Sequence, residues 1–295
     1  MKMRIFLTGA TGYVGSKILA VLLEQGHEVV CLSRTNRTSG SGQPVIGDLL
    51  QPETYAESLR QCDAVIHLVG IIREQPSRNI TYDRIHVQGT QTLVNACIAA
   101  GFVESGKRFI HMSALGASAK SASTYFTTKW QAEEIIRKSG LTHVIFRPSI
   151  IFGPNDEFVN MLAGLVKMPI TPVIGDGRYR MQPVSLHTVA EIFVKALSMG
   201  PVNEAFNVGG PEQITYNDML IEIGHALRRN VRLVHLPLWF MRPVITVMER
   251  FPFFPITTNQ LTMLLEENIC RDGTPFADIY QIQPVRFREG IRQYL

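Results

Sequence analysis

The segment Thr8-Gly9-Ala10-Thr11-Gly12-Tyr13-Val14-Gly15 constrains this chain more than any other. It follows a short apolar run, residues 4–7, and opens a helical pattern carrying Val14, Ile18, Val21 and Leu22 that stops at Gly26. A strand that turns into a helix through three glycines has a specific physical use. Gly9 permits the tight turn, Gly12 lets the backbone approach a pyrophosphate, and Gly15 allows close helix–strand packing. The free N–H groups at the helix start, Thr11 to Gly15, face the phosphates with a partial positive charge.

The rest of the first half repeats that alternation. Strand patterns at 28–32, 45–46, 64–68, 108–112 and 141–147 are interleaved with helical patterns, the longest at 81–100 and 125–138. Consecutive apolar runs of this kind belong to strands buried on both faces. The expected fold is therefore α/β, a doubly wound parallel (Rossmann) sheet. After Pro154 the pattern loosens into helical stretches near 157–167, 188–197 and 216–227, separated by Gly and Pro clusters. The expectation is a dinucleotide-binding domain over 1–153 with a return segment at about 184–208. Residues 154–183 and 209–295 would form a smaller, mostly helical substrate lobe.

Composition narrows the function classes. The chain has 295 residues, 45% of them hydrophobic, and 29 basic against 25 acidic residues. A net charge of +4 without a basic tail is too thin a footprint for nucleic-acid binding. The longest uncharged stretch, 85–103, carries six polar side chains and would not sit in hydrocarbon, so no transmembrane span is expected. The apolar run at 5–7 is too short for a secretory signal. Cys31, Cys62, Cys97 and Cys270 lie far apart, without disulfide or metal spacing, and no metal site is expected. A reducing cytoplasm is the expected compartment.

Tyr125 and Lys129 sit four apart on the helix after the fifth strand and so share a face. An ammonium beside a phenol is expected to lower its pKa from near 10, fitting Tyr125 to exchange a proton with a substrate oxygen while hydride moves. With the glycine spacing, this pair resembles the short-chain dehydrogenase/reductase superfamily, in its extended, NAD-dependent epimerase/dehydratase-like branch. The resemblance continues through Gly47-Asp48-Leu49-Leu50, His67-Leu68-Val69-Gly70, the segment from Arg147-Pro148-Ser149-Ile150 to Gly153-Pro154, and Phe206-Asn207-Val208-Gly209. Met112-Ser113-Ala114-Leu115 and Gln182-Pro183-Val184 are most similar to an atypical group that includes the NAD(P)H-binding accessory subunit of respiratory complex I.

That resemblance implies roles. Lys129 would also bind the nicotinamide ribose, and Ser113 would anchor the substrate oxygen. Asp48 and Leu49 would border the adenine, and Leu68, Val69, Gly70, Pro148 and Ile150 the rest of the cofactor. Where NAD-selective members place an acid after the second strand, this chain has Ser33-Arg34 and then Arg37. A guanidinium suits a 2′-phosphate, so NADP(H) is the expected cofactor, with NAD(H) still open. The bland reading keeps both arginines as solvated loop charges.

Two departures stand out. The family's helix asparagine is replaced by His86, which reads either as a proton relay or as a packed side chain. The arginine that clamps a nucleotide-sugar pyrophosphate is replaced by Met181-Gln182-Pro183. An oxidoreductase acting on an apolar, quinone- or lipid-like small molecule is therefore expected. A non-catalytic NADPH-holding accessory protein and a nucleotide-sugar epimerase/dehydratase remain as alternatives. Aromatic and proline residues crowd 236–255, either as lobe core, as the wall of an apolar pocket, or as a peripheral membrane contact through Trp239 and Phe240.

Overall fold

The computed structural model describes residues 2–35, 42–251 and 256–295. Arg37 and residues 252–255, both named above, lie outside the described residues. The chain divides into two compact units. The first comprises Met1–Pro148, His187–Asn207 and Pro275–Ile282, and the second Ser149–Leu186, Val208–Thr274 and Gln283–Leu295.

The first unit begins with strand β1 (Arg4–Thr8), helix α1 (Tyr13–Glu24), β2 (Glu28–Ser33), β3 (Gln43–Ile46) and β4 (Ala64–His67). Helix α2 (Gly89–Ala99), β5 (Arg108–Met112), α3 (Thr124–Lys138) and β6 (His143–Pro148) follow, then α4 (Leu186–Lys195) and β7 (Glu204–Val208). The strands form one seven-stranded parallel sheet in the order β7-β6-β5-β4-β1-β2-β3. The chain winds outward from β1 in one direction and from β4 in the other, so the order reverses between those two strands. Open α/β sheets bind ligands at that point, beyond the carboxyl ends of the strands.

The sequence accounts for these elements directly. Helix α1 buries Val14, Ile18, Leu19 and Leu22, one stripe at helical spacing, and stops where Gly26 takes φ +80°. One face of the sheet holds Phe6, Val30, Val65, Phe109 and Ile145 against Leu93, Val94 and Cys97 of α2. Fully burying such a side chain contributes about 1.5–3 kcal/mol. All four cysteines are buried thiols.

Three features depart from the sequence reading. The helix expected over 81–100 is continuous but not uniform: Asp83–Gln88 is π-helical before α2 begins. The strand at Glu204–Val208 adds a seventh member at the sheet edge. Pro275–Ile282 belongs to the first unit, where Tyr280 is fully buried with its ring 5.6 Å from that of Phe146 and 5.8 Å from that of Phe206.

The second unit has its own core, with Val159, Leu162 and Val166 of the helix Glu157–Val166 packed with Met219, Leu220 and Ile223 of the helix Tyr216–Ala226. Three two-stranded pairs accompany its helices. Among the described residues no helix is long and apolar enough to cross a membrane.

Candidate active site

The carboxyl ends of β1 and β4 are tied together by side chains. Thr8 Oγ1 accepts the Leu68 N–H at 3.3 Å and pairs with His67 Nδ1 at 2.7 Å, while His67 Nε2 reaches Thr90 Oγ1 at 3.1 Å. The two loops that follow touch backbone to backbone. A Cβ on Gly9, whose φ is +79°, would stand 3.2 Å from both the Leu68 carbonyl carbon and the Val69 nitrogen. Gly12 N–H closes the turn on the Gly9 carbonyl at 3.0 Å.

Helix α1 opens without a side-chain cap and without an acid in its first turn. The start of such a helix, here at Val14 and Gly15, is an anion-binding end. Thr11 and Gly12 are exposed beside it, and Val14 is buried behind. No side chain fits at Gly15, since its Cβ would fall 2.0 Å from the Gly9 carbonyl oxygen. A glycine-lined cradle at a helix N-terminus suits a dinucleotide pyrophosphate.

On the far side of the switch point, α3 carries a stripe at four-residue spacing: Tyr125, Lys129, Glu133 and Arg137. Lys129 is buried, and its ammonium donates to the Met112 carbonyl at 2.5 Å. Exposed Gly70 faces it: a Cβ there would stand 3.9 Å from Lys129 Nζ and 3.5 Å from His86 Nε2. Burial pushes Lys129 down to about 8, against the opposing pull of Glu133. Tyr125 is held by the rings of Tyr82, His86 and Phe126, with centroids 5.4–5.8 Å away.

The expected lowering of the Tyr125 pKa is reversed. Burial first, and the neighbouring Tyr82 phenol second, hold it above its ordinary value. Tyr125 is a neutral phenol at neutral pH and has a proton to give.

Ser113 also departs from expectation. Its hydroxyl donates to Glu133, a fully buried carboxylate that also accepts from Arg147 Nε at 2.8 Å, Arg147 Nη2 at 2.5 Å and Arg137 Nη2 at 2.5 Å. A buried charge needs such donors, and Ser113 is drawn to it one turn beyond Lys129. In this arrangement its proton points to Glu133. Although burial opposes ionisation, Arg147 holds the Glu133 carboxyl below its usual range. Sequence reading overlooked Glu133; continuing the four-residue step from Lys129 lands on it.

His86 sits in the π-helical turn with both nitrogens engaged. Nε2 accepts the Ile71 N–H at 3.1 Å, so Nδ1 carries the proton and donates to Thr128 Oγ1 at 3.0 Å. Thr128 passes its own proton to the Thr124 or Tyr125 carbonyl. This side chain fastens the Gly70–Ile71 loop to α3, which favours the packed reading over the relay.

The other sequence-derived residues fall in three groups. Arg34 is exposed just past β2, and Ser33 Oγ accepts the Thr35 N–H at 3.3 Å. Asp48 Oδ1 caps Leu50 N–H at 2.9 Å, and Leu49 is core, lying under Gly89. Pro148 accepts the Leu115 N–H at 2.9 Å, whereas Ile150 belongs to the second unit and accepts from Val184.

Three histidines on this sheet end are buried and uncharged. Burial, with Lys129 as the next cause, pushes His67 down to about 3 and lowers His86 and His111 as well. An unfolded histidine takes a proton near 6.5, so below that pH the unfolded state binds more protons and stability falls. Each histidine contributes about 1 kcal/mol to that loss between pH 6.5 and 5.5, or about 3 kcal/mol for the three. Urea denaturation at those two pH values should show it; constant stability down to pH 5 would contradict the buried, neutral assignment.

A family model described as the NAD dependent epimerase/dehydratase family matches residues 5–209. The chain belongs to that family. Among its relatives, the mitochondrial NADH-ubiquinone oxidoreductase 40 kDa subunit of Neurospora crassa is 28% identical over 258 residues, 84% of this chain and 66% of that one, slightly under two thirds of its length. The 4-hydroxy-2-methyl-3-oxo-4-farnesyl-3,4-dihydroquinoline-1-oxide ketoreductase of Stigmatella aurantiaca is 26% identical over 75% of this chain and 73% of that one. The ceramide reductase of Caulobacter vibrioides is 24% identical over 79% and 73%. Among solved structures, the UDP-glucose 4-epimerase of Thermus thermophilus in complex with NAD superposes with a TM-score of 0.71 at 20% identity, covering 98% of this chain and 97% of that one. That likeness is one of fold. The relatives thus include two reductases and a respiratory-complex subunit.

Proposed function

We propose that this chain is an NADP(H)-dependent reductase of an apolar carbonyl compound. The observation that carries the reading is a phenol, Tyr125, one helical turn from a buried ammonium, Lys129, which lies across from Gly70 at the sheet's switch point. NADP(H), when bound, would supply the hydride for the carbonyl carbon. Tyr125 gives its proton to the carbonyl oxygen, and Lys129, with donors left after Met112, holds the nicotinamide ribose. The glycine turn and α1 amides hold the pyrophosphate.

An apolar substrate is favoured because Met181-Gln182-Pro183 stands where nucleotide-sugar enzymes carry their clamping arginine. Two relatives are named for farnesyl-quinoline and ceramide reduction. Four buried free thiols suit a reducing compartment such as the cytoplasm. One observation favours a second reading, an NADPH-holding accessory role: the Ser113 hydroxyl, the expected oxygen anchor, donates to Glu133.

Arg34, exposed after β2, favours NADP(H) over NAD(H). NADPH should bind about tenfold tighter than NADH, and Arg34→Ala should erase most of that gap, since tenfold is about 1.4 kcal/mol and lies within one phosphate–guanidinium contact. Titration by nicotinamide fluorescence reads it. Equal affinities in the unsubstituted protein would remove Arg34 from the account.

A further inference from the structure

Helix Leu238–Met248, in the second unit, has the sequence of a buried helix and the setting of a surface one. Only Arg242 and Thr246 in its eleven residues carry a polar side chain. Its inner side, Leu238, Met241, Ile245 and Met248, is at least half-buried, with Ile245 fully so. Its outer side is apolar as well. Trp239 is 77% exposed, Phe240 49% and Val247 61%, with Pro243 between them and Phe251 just past the helix end at 47%. A helix apolar all round is stable where both sides are covered.

Charge indicates what covers the outer side. Residues 228–251 hold five arginines (Arg228, Arg229, Arg232, Arg242 and Arg250) and one acid, Glu249. The whole chain has 29 basic and 25 acidic residues, so everything outside this segment balances at 24 each. Of these, Arg242 lies on the helix and Arg250 just past its end, both exposed, whereas Arg228, Arg229 and Arg232 precede the strand Leu233–Leu236 that leads to it. At about 1.5 Å per residue the helix is roughly 16 Å long, half of a bilayer's hydrocarbon thickness, and suits lying in the membrane plane rather than crossing it.

We infer that helix Leu238–Met248 docks this protein on an anionic lipid bilayer. Trp239, Phe240 and Val247 enter the boundary between headgroups and acyl chains, and Arg242 and Arg250 meet anionic headgroups at about 1 kcal/mol each. The inference rests on this surface alone and does not need the reductase reading, although isoprenoid and long-chain ketones partition into bilayers.

Co-sedimentation of the full chain with phosphatidylcholine vesicles, and with vesicles also containing phosphatidylglycerol, tests it. Binding to the anionic vesicles should be about tenfold tighter and should weaken as salt is raised. The double substitution Trp239→Ser with Phe240→Ser should cost about another tenfold while thermal stability and NADPH affinity stay unchanged. Absence of sedimentation with anionic vesicles would overturn the inference, as would binding indifferent to the double substitution. Light scattering that shows a dimer dissolved by the same substitution, without vesicle binding, would assign the face to a second copy of the chain instead.

Discussion

Gly15→Ala is expected to abolish dinucleotide binding. The added Cβ would fall 2.0 Å from the Gly9 carbonyl oxygen, 2.8 Å from its carbon and 3.0 Å from Ala10 Cα, all rigid backbone. The turn must open to admit it, moving the Gly9 carbonyl away from Gly12 N–H and tilting the first amides of α1 away from the phosphates. A loss of about a hundredfold, roughly 2.7 kcal/mol, is the expected minimum. Strain of this kind also lowers the melting temperature, so a second substitution separates binding from folding. Gly12 is exposed at φ −78°, and a Cβ there meets only the Gly9 oxygen, at 3.3 Å. Gly12→Val should leave the fold near its original stability and still weaken NADPH substantially, because its side chain occupies the phosphate approach. Fluorescence titration and thermal melts of both variants read this. Unchanged affinity in a folded Gly15→Ala would show that the cradle is only a turn.

Much of the fold was legible because buried parallel strands read as uninterrupted apolar runs. Residues 28–32 and 64–68 could hardly be anything else between helical patterns of crossover length. The strand Glu204–Val208 was not legible as such: it lies at the sheet edge, and its Glu204 and Asn207 break the apolar run. The π-helical turn at Asp83–Gln88 leaves no local mark either. Its polar residues fit an ordinary helix, and only the bonds from His86 to Ile71 and Thr128 show why the chain bulges there. Pro275–Ile282 was assigned to the lobe by chain order, whereas the burial of Tyr280 against Phe146 puts it with the first unit.

The site divides along the same line. Backbone features tied to glycine, from Gly9 to Gly15 and at Gly70, could be read because few other residues serve there. Side-chain roles that depend on direction could not. Ser113 has the right position at a strand end but points to Glu133, and only the buried guanidinium–carboxylate cluster makes that direction necessary. The Tyr125–Lys129 spacing puts the two one turn apart on α3 but says nothing of the ammonium's bond to the Met112 carbonyl or of the burial that raises the phenol.

Turnover by a Tyr125→Phe variant is the most direct test of the account. Phenylalanine keeps the ring between Tyr82, His86 and Phe126 and removes the one proton the proposed reduction draws from the protein. NADPH oxidation would be followed with farnesylated quinones and long-chain ketones, with nicotinamide fluorescence recording cofactor affinity in the same samples. The account predicts oxidation by the unsubstituted protein, loss of at least about a thousandfold in the variant, and NADPH affinity within about twofold of the original. Turnover that survives Tyr125→Phe, or an unsubstituted protein that binds NADPH and oxidises it with none of these compounds, would contradict it.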